Sequence, residues 1–156
     1  MHLRKRLNSM IEEISACDDQ LARDLEEIEK IIFGTAWPSK TIRQKINDRD
    51  FKYWVYKKDR KIIAYLGIQF TNDFIEVLGI GVIENYRKKG YGSELMTELV
   101  NYFNDAPYRK ILLEVRESNN NAKNLYANYG FKQISKRKNY YKNEDADVYL
   151  KEKIYV

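Results

Sequence analysis

A chain of 156 residues with 44% hydrophobic and 13% aromatic content holds enough apolar material for one compact core and too little length for two domains. Its formal net charge of +5 hints at a nucleic-acid partner, yet Arg4, Lys5 and Arg6 supply three of those units and residues 1–9 hold no acid, so the remainder carries only about +2. One cysteine, Cys17, excludes an intramolecular disulfide and a cysteine-based zinc cluster, and with His2 as the sole histidine no metal centre is expected.

The basic start "MHLRKRLNS" reads as a terminal extension, or as a contact with RNA or an RNA-bound protein. The acidic "MIEEISACDD" follows where a signal peptide would need an apolar core. The run "IIAYLGI" is far short of the roughly 20 residues of a membrane span, so a soluble, cytoplasmic protein is expected. A short strand is expected at "IEEISA". "DDQLARDLEEIEKIIF" sets Leu21, Leu25, Ile28, Ile31 and Ile32 at helical spacing with early acids that suit the helix dipole. Gly34 and Pro38 punctuate "GTAWP", and "SKTIRQKIND" reads as a second helix with Ser39 as its N-cap.

Three strand-like runs follow, "FKYWVYKK", "KIIAYLGIQF" and "FIEVLGIGV", joined by "DR" and "TND", turns short enough for antiparallel hairpins. "GSELMTELVNYFND" carries Leu95, Met96, Leu99, Val100 and Phe103 on one helical face and ends ahead of Pro107. "KILLEVRE" is a strand, and "NNAKNLYANYG" a helix closing on Gly130 as a left-handed cap. "FKQISKRKNYY" and "DADVYLKEKIYV" are two more strands. The order is a mixed α/β (α+β) arrangement, with antiparallel hairpins around a central β-α-β unit.

The segment "YRKKGYGSELM" stands between strand and helix, where backbone N–H groups from Lys89 to Ser93 converge with the helix dipole. Gly90 and Gly92 would let the main chain approach phosphate oxygens, and Arg87, Lys88 and Lys89 add attraction. Taken alone, the same residues also make an ordinary tight turn with solubilising lysines. Neither a dinucleotide fingerprint nor a P-loop is present. In "KILLEVR" side chains alternate, so Glu114 shares a face with Leu112 and Arg116. That face either meets water, or pairs Glu114 with Arg116, or presents a functional carboxylate. Tyr126 falls on the stripe Ala122, Leu125, Tyr126, Tyr129, which by periodicity is core, though a packed ring can still turn its hydroxyl to a cleft. Ser118 and Asn119 are both suited to cap the helix that follows.

Arg87, Gly90 and Gly92 match the pyrophosphate loop Arg/Gln-x-x-Gly-x-Gly/Ala, and "LEVRESNNNAKNLYANYGF" matches Leu-Glu-Val-Arg-x-Ser-Asn-x-x-Ala-x-x-Leu-Tyr-x-x-x-Gly-Phe. With "FGTAWP", "RKNYY" and "EDA", the chain thereby resembles the GNAT superfamily of N-acetyltransferases over roughly residues 10–150, and within it the bacterial ribosomal-protein alanine N-acetyltransferases. The resemblance implies the GNAT fold: a mixed, mostly antiparallel central sheet of about seven strands with about four helices, splayed in a V between the fourth and fifth strands.

It further implies acetyl-CoA as the donor. Ile80, Gly81 and Val82 would hold the acetyl and pantetheine portion through their main chain. Arg87, Lys88, Lys89, Gly90, Tyr91, Gly92 and Ser93 would hold the pyrophosphate, and Asn119 the pantetheine arm. Glu114 would be the general base and Tyr126 the general acid, with Trp37, Tyr140 and Tyr141 lining the acceptor pocket. The implied acceptor is a protein N-terminus, alanine of a small-subunit ribosomal protein, with contact to the ribosome. Open alternatives are a polyamine-like small amine, a lysine side chain, and a non-catalytic module binding coenzyme A or RNA. Tyr149 departs from the aliphatic residue frequent in relatives, affecting either the acceptor pocket or its packing.

Overall fold

The computed structural model describes residues 11–154; the basic arm of residues 1–9 lies outside the described residues. In chain order the elements are β1 (Ile11–Ile14), α1 (Asp19–Phe33), α2 (Ser39–Asn47), β2 (Phe51–Lys58), β3 (Lys61–Phe70), β4 (Phe74–Val82), a 3-10 turn (Glu84–Tyr86), α3 (Tyr91–Asp105), β5 (Lys110–Arg116), α4 (Asn120–Asn128), β6 (Lys132–Tyr141) and β7 (Glu144–Glu152). Among the described residues no helix is long and apolar enough to cross a membrane.

Local chemistry explains most boundaries. The Asp18 carboxylate accepts the Leu21 N–H at 2.8 Å and caps α1, whose buried face is Ala22, Leu25, Ile28 and Glu29. Ile31, expected on the apolar stripe, is 59% exposed, because it sits about a third of a turn off the Leu25–Ile32 line. Ser39, expected as a cap, is instead the first helical residue of α2: the cap position is Pro38, whose carbonyl accepts the Ile42 N–H. The Ser39 N–H is satisfied from outside, by the Glu26 carboxylate of α1 at 3.2 Å. The "DR" turn is a tight hairpin in which Asp59 and Arg60 both take left-handed angles, φ 51° and 65°.

The strands form a seven-stranded sheet in the order β1-β2-β3-β4-β5-β7-β6. Every neighbouring pair is antiparallel except β4 and β5. That parallel pairing covers only Phe74 with Lys110, Ile75 with Ile111 and Glu76 with Leu112. Beyond it, β4 continues against β3 to Val82 while β5 continues against β7 to Arg116. The two strands therefore part, as the implied V-shaped splay requires.

The helices divide between the two faces. Residues of α1 and α2, including Leu25, Ile28, Ile42 and Ile46, pack on Phe51, Tyr53, Val55 and Tyr65. On the other face, Leu95, Met96, Leu99 and Phe103 of α3 are fully buried against Leu66, Ile75, Ile111 and Leu113, each such burial stabilising by about 1.5–3 kcal/mol. In β4 the register against β3 slips at Leu78, and Gly79 and Gly81 then face α1. A Cβ on Gly81 would lie 2.5 Å from Ile32 Cγ2, so the end of α1 rests directly on the strand backbone.

That close approach predicts that Gly81→Ala destabilises the protein by about 1–3 kcal/mol in chemical denaturation, and that adding Ile32→Ala recovers part of the loss. Strictly additive effects would show that the contact is not the constraint.

Candidate active site

Where β4 and β5 separate, the polar backbone edge of β4 from Val77 to Val82 has no strand beside it among the described residues, and the gap opens into a cleft of about 590 Å³. Its lining brings together Trp37, Ile80, Gly81, Val82, Gly92, Glu114, Asn119, Tyr126, Tyr140 and Tyr141, residues spread over more than a hundred positions of sequence. Of the expected site residues, Arg87, Lys88, Lys89, Gly90, Tyr91 and Ser93 lie outside this lining, around the start of α3.

Helix α3 starts from Gly90 as its cap residue, in the left-handed region at φ 88°, and no side chain among the described residues caps it. An uncapped N-terminus with a glycine at the entry leaves backbone donors for an anionic group, as the glycine loop suggested. Arg87 folds back through Nε onto the Val82 carbonyl at 3.0 Å, fastening the loop to the end of β4. Lys89 sits 5.8 Å from the Tyr86 ring centre, as does Lys58 at 5.7 Å. Tyr91 is an anchor: its ring lies 4.4 Å from that of Tyr56. The Ser93 carbonyl accepts the Tyr129 hydroxyl at 2.6 Å, tying α3 to the end of α4.

Two groups face the gap from opposite sides of the sheet. Ile111, Leu113 and Val115 turn into the core under α3, so Glu114 projects toward the side that carries α1 and α2. Tyr126 belongs to the α3 side, 5% exposed, with its ring 6.0 Å from Phe131 and 6.2 Å from Tyr149. Tyr149 is thus packing behind Tyr126. Burial first, and neighbouring Tyr141 second, push the Tyr126 hydroxyl well above the usual phenol range, so it remains a proton donor. The Asn119 side chain accepts the Ala122 N–H at 3.1 Å and is the cap of α4, while the Ser118 N–H donates to Glu144 at 2.7 Å.

Arg116 does not neutralise Glu114. Its guanidinium pairs with Glu144 at 3.4 Å and lies 4.3 Å from the Tyr141 ring. The Glu114 carboxylate is instead held by Arg137 of β6 at 2.7 Å. Tyr140 and Tyr141 stand edge to face at 5.0 Å, and Trp37 lies 6.0 Å from Phe51, both Trp37 and Tyr140 being 47% exposed.

Glu29 went unread in the sequence, although it lies on the buried line of α1 with Ala22 and Leu25, and an acid there was the available signal. It lines the cleft, 6% exposed, and accepts the Tyr53 hydroxyl at 3.1 Å and the backbone N–H of Trp37. Burial pushes its carboxyl up to about 7 against those hydrogen bonds. Tyr53 and Tyr65 beside it are raised by burial and by Glu29 itself. Cys17 stands elsewhere, buried next to Asn47, its thiol pushed up to about 11 chiefly by burial. A nucleophilic thiolate is disfavoured there.

The model of the acetyltransferase (GNAT) family matches residues 22–131. The ribosomal protein bS18-alanine N-acetyltransferase of Haemophilus ducreyi is 33% identical over 124 residues, 78% of this chain and 83% of that protein. The N-alpha-acetyltransferase RimI of Mycobacterium tuberculosis is 29% identical over 140 residues, 87% of this chain and 86% of that one. The crystal structure of the ribosomal-protein-S18-alanine N-acetyltransferase from Escherichia coli superposes with a TM-score of 0.77 at 25% identity, covering 90% of this chain and 92% of that one. A structure of Arabidopsis thaliana NAA60 with acetyl-CoA shares the fold, with a TM-score of 0.76 at 22% identity, covering 91% and 97%.

The raised Glu29 predicts a pH-dependent stability. Its folded value of about 7 exceeds the ordinary 4.5, so its contribution is fully present below the unfolded value and is lost as pH rises through the folded one. Glu29→Gln removes the charge while leaving one amide oxygen as an acceptor in place of the carboxylate. Its Tm relative to the native chain should rise between about pH 5 and about pH 8, and parallel Tm curves would contradict the assignment.

Proposed function

The chain belongs to the GNAT acetyltransferase family, and we propose that it acetylates the N-terminal α-amino group of a protein, alanine of a small-subunit ribosomal protein, by direct transfer in a ternary complex. The observation that carries this reading is that Glu114 and Tyr126 line one cleft from opposite faces of the sheet, an arrangement that suits a base toward the acceptor and an acid toward the donor.

Acetyl-CoA, the donor of the family, supplies a thioester carbonyl open to attack and a thiol leaving group. The open backbone edge of β4 at Ile80, Gly81 and Val82 suits its pantetheine arm, with Asn119 across the gap. The uncapped start of α3 at Gly90 to Ser93, with Arg87, Lys88 and Lys89 around it, suits its pyrophosphate. Glu114 accepts the proton of the attacking amine, directly or through one water. A backbone N–H of β4 polarises the carbonyl, and Tyr126 returns a proton to sulfur. No acyl-enzyme is needed, since Cys17 is a buried thiol away from the cleft.

The acceptor follows from proton energetics. At pH 7, deprotonation costs about 1 kcal/mol for an α-amine and roughly 4.6 for lysine. A single carboxylate serves the first far more easily. The names of the relatives support alanine of a ribosomal protein as the acceptor; contact with the ribosome and action in the cytoplasm would follow from such a substrate. Trp37, Tyr140 and Tyr141 border the acceptor half and would hold the peptide's first residues.

Thiol release from acetyl-CoA should occur with peptides beginning in a free alanine and not with N-terminally blocked peptides bearing lysine; turnover of the blocked peptides alone would sink the α-amine assignment. Glu114→Gln and Tyr126→Phe should each lower kcat by about 10²–10⁴-fold with acetyl-CoA affinity largely intact. Full rates in both would refute the assigned roles.

A further inference from the structure

The "RKNYY" segment of β6 contributes Tyr140 and Tyr141 to the reading above but leaves Arg137 without a part in it. We propose that Arg137 is the positioning residue of the base: its guanidinium aims the Glu114 carboxylate and balances its charge beside a second carboxylate, Glu76. The inference rests on Glu114 being the base.

Sheet register brings these groups together. Glu76 of β4 pairs with Leu112 of β5, two residues before Glu114, so both acids stand on one face. Through β7, Glu114 aligns with Val148 and then Ser135 of β6, while Arg116 aligns with Ala146 and then Arg137. Arg137 thus shares the face of Glu114 one pair further along, and reaches it diagonally across β7 past the small side chain of Ala146, to 2.7 Å. Its guanidinium also lies 5.1 Å from the Tyr140 ring, which limits its freedom.

The backbone supports this reach. Between Arg137 and Tyr141 the register of β6 breaks, with Asn139 left-handed at φ 55° and its N–H held by Asp145 at 2.9 Å. The bulge returns the two tyrosines toward Glu114: burial and then the Glu114 carboxylate raise the Tyr140 phenol, and the Tyr141 hydroxyl donates to the Glu114 carbonyl at 3.5 Å. The charged and titratable groups facing Glu114 are therefore Glu76 from β4, Arg137, Tyr140 and Tyr141 from β6, and Arg116 on its own strand. Arg116 is engaged with Glu144 of β7. Glu29 of α1 lines the same cleft. Arg137 is thus the cation that balances the Glu76–Glu114 pair. Burial and then Glu114 push Glu76 up, and Arg137 draws it back. Without the guanidinium, two facing carboxylates compete for one proton, and the base is captured at higher pH.

The test is a carbon-13 carboxyl titration of the full chain, with the Glu114 signal assigned by its absence in Glu114→Gln. In Arg137→Gln the Glu114 midpoint should rise by roughly one pH unit or more. It should stay near the native value in Arg137→Lys, and return toward it in the double variant Arg137→Gln, Glu76→Gln. The acid limb of kcat/KM for an alanine-initiated peptide should move with the midpoint while KM for acetyl-CoA stays put. An unchanged or lowered midpoint in Arg137→Gln, or no return in the double variant, overturns the inference. Loss of activity in Glu114→Gln with an unmoved midpoint in Arg137→Gln refutes Arg137 alone. Full activity in Glu114→Gln refutes the base assignment itself.

Discussion

The molecule depends on the parting of β4 from β5 after Glu76 and Leu112. Each strand keeps its other partner, β3 or β7, so the sheet survives the break. What the break leaves is two strand edges whose polar groups are no longer paired with each other, a costly arrangement inside a protein unless a polar ligand completes it. The slip at Leu78 and the glycines that follow let Ile32 and Tyr65 press on one face of β4, while Ile80 and Val82 pack toward the other. The cleft is the consequence of these contacts, and both halves of the chemistry are arranged around it.

Charge divides along the same line. The donor half combines an uncapped helix start with exposed Arg87, Lys88 and Lys89, as a pyrophosphate asks. The other half is lined by the carboxylates Glu29 and Glu114, with Glu76 beside Glu114 on the same sheet face and Arg137 paired to Glu114. For the proposed α-amine acceptor, these carboxylates would offer acceptors for its protons, and the Glu114 carboxylate is held by Arg137. Tyr126 faces this cluster from the opposite face, neutral and buried, which is what a proton donor to sulfur needs.

Much of this was legible in the sequence because it is local. The Asp59-Arg60 turn, the α3 stripe, the Asn119 cap and the alternation that exposes Glu114 each follow from a few neighbouring residues. The roles of Glu114, Tyr126 and the glycine loop came from family resemblance; periodicity alone placed Tyr126 in the core, where its ring does sit. What escaped depends on strand order. Arg137 lies 23 residues beyond Glu114, and only the placement of β7 between β5 and β6 sets its reach. Arg116, two residues away, is a partner the alternation allows, but Glu144 of β7 engages it. Ser39 has the composition of a cap, but Pro38 takes that position and the Glu26 carboxylate that satisfies the Ser39 N–H belongs to another helix.

The central claim, that this cleft places Glu114 to deprotonate a protein's α-amine, is tested most directly on ribosomes. Intact-protein mass spectrometry would compare ribosomal proteins from cells carrying the native chain, the Glu114→Gln chain, or none. One small-subunit protein should lack a single acetyl group, located at its N-terminal alanine, in both deficient strains. Identical masses in all three, or an acetyl group missing from a lysine side chain instead, would contradict it.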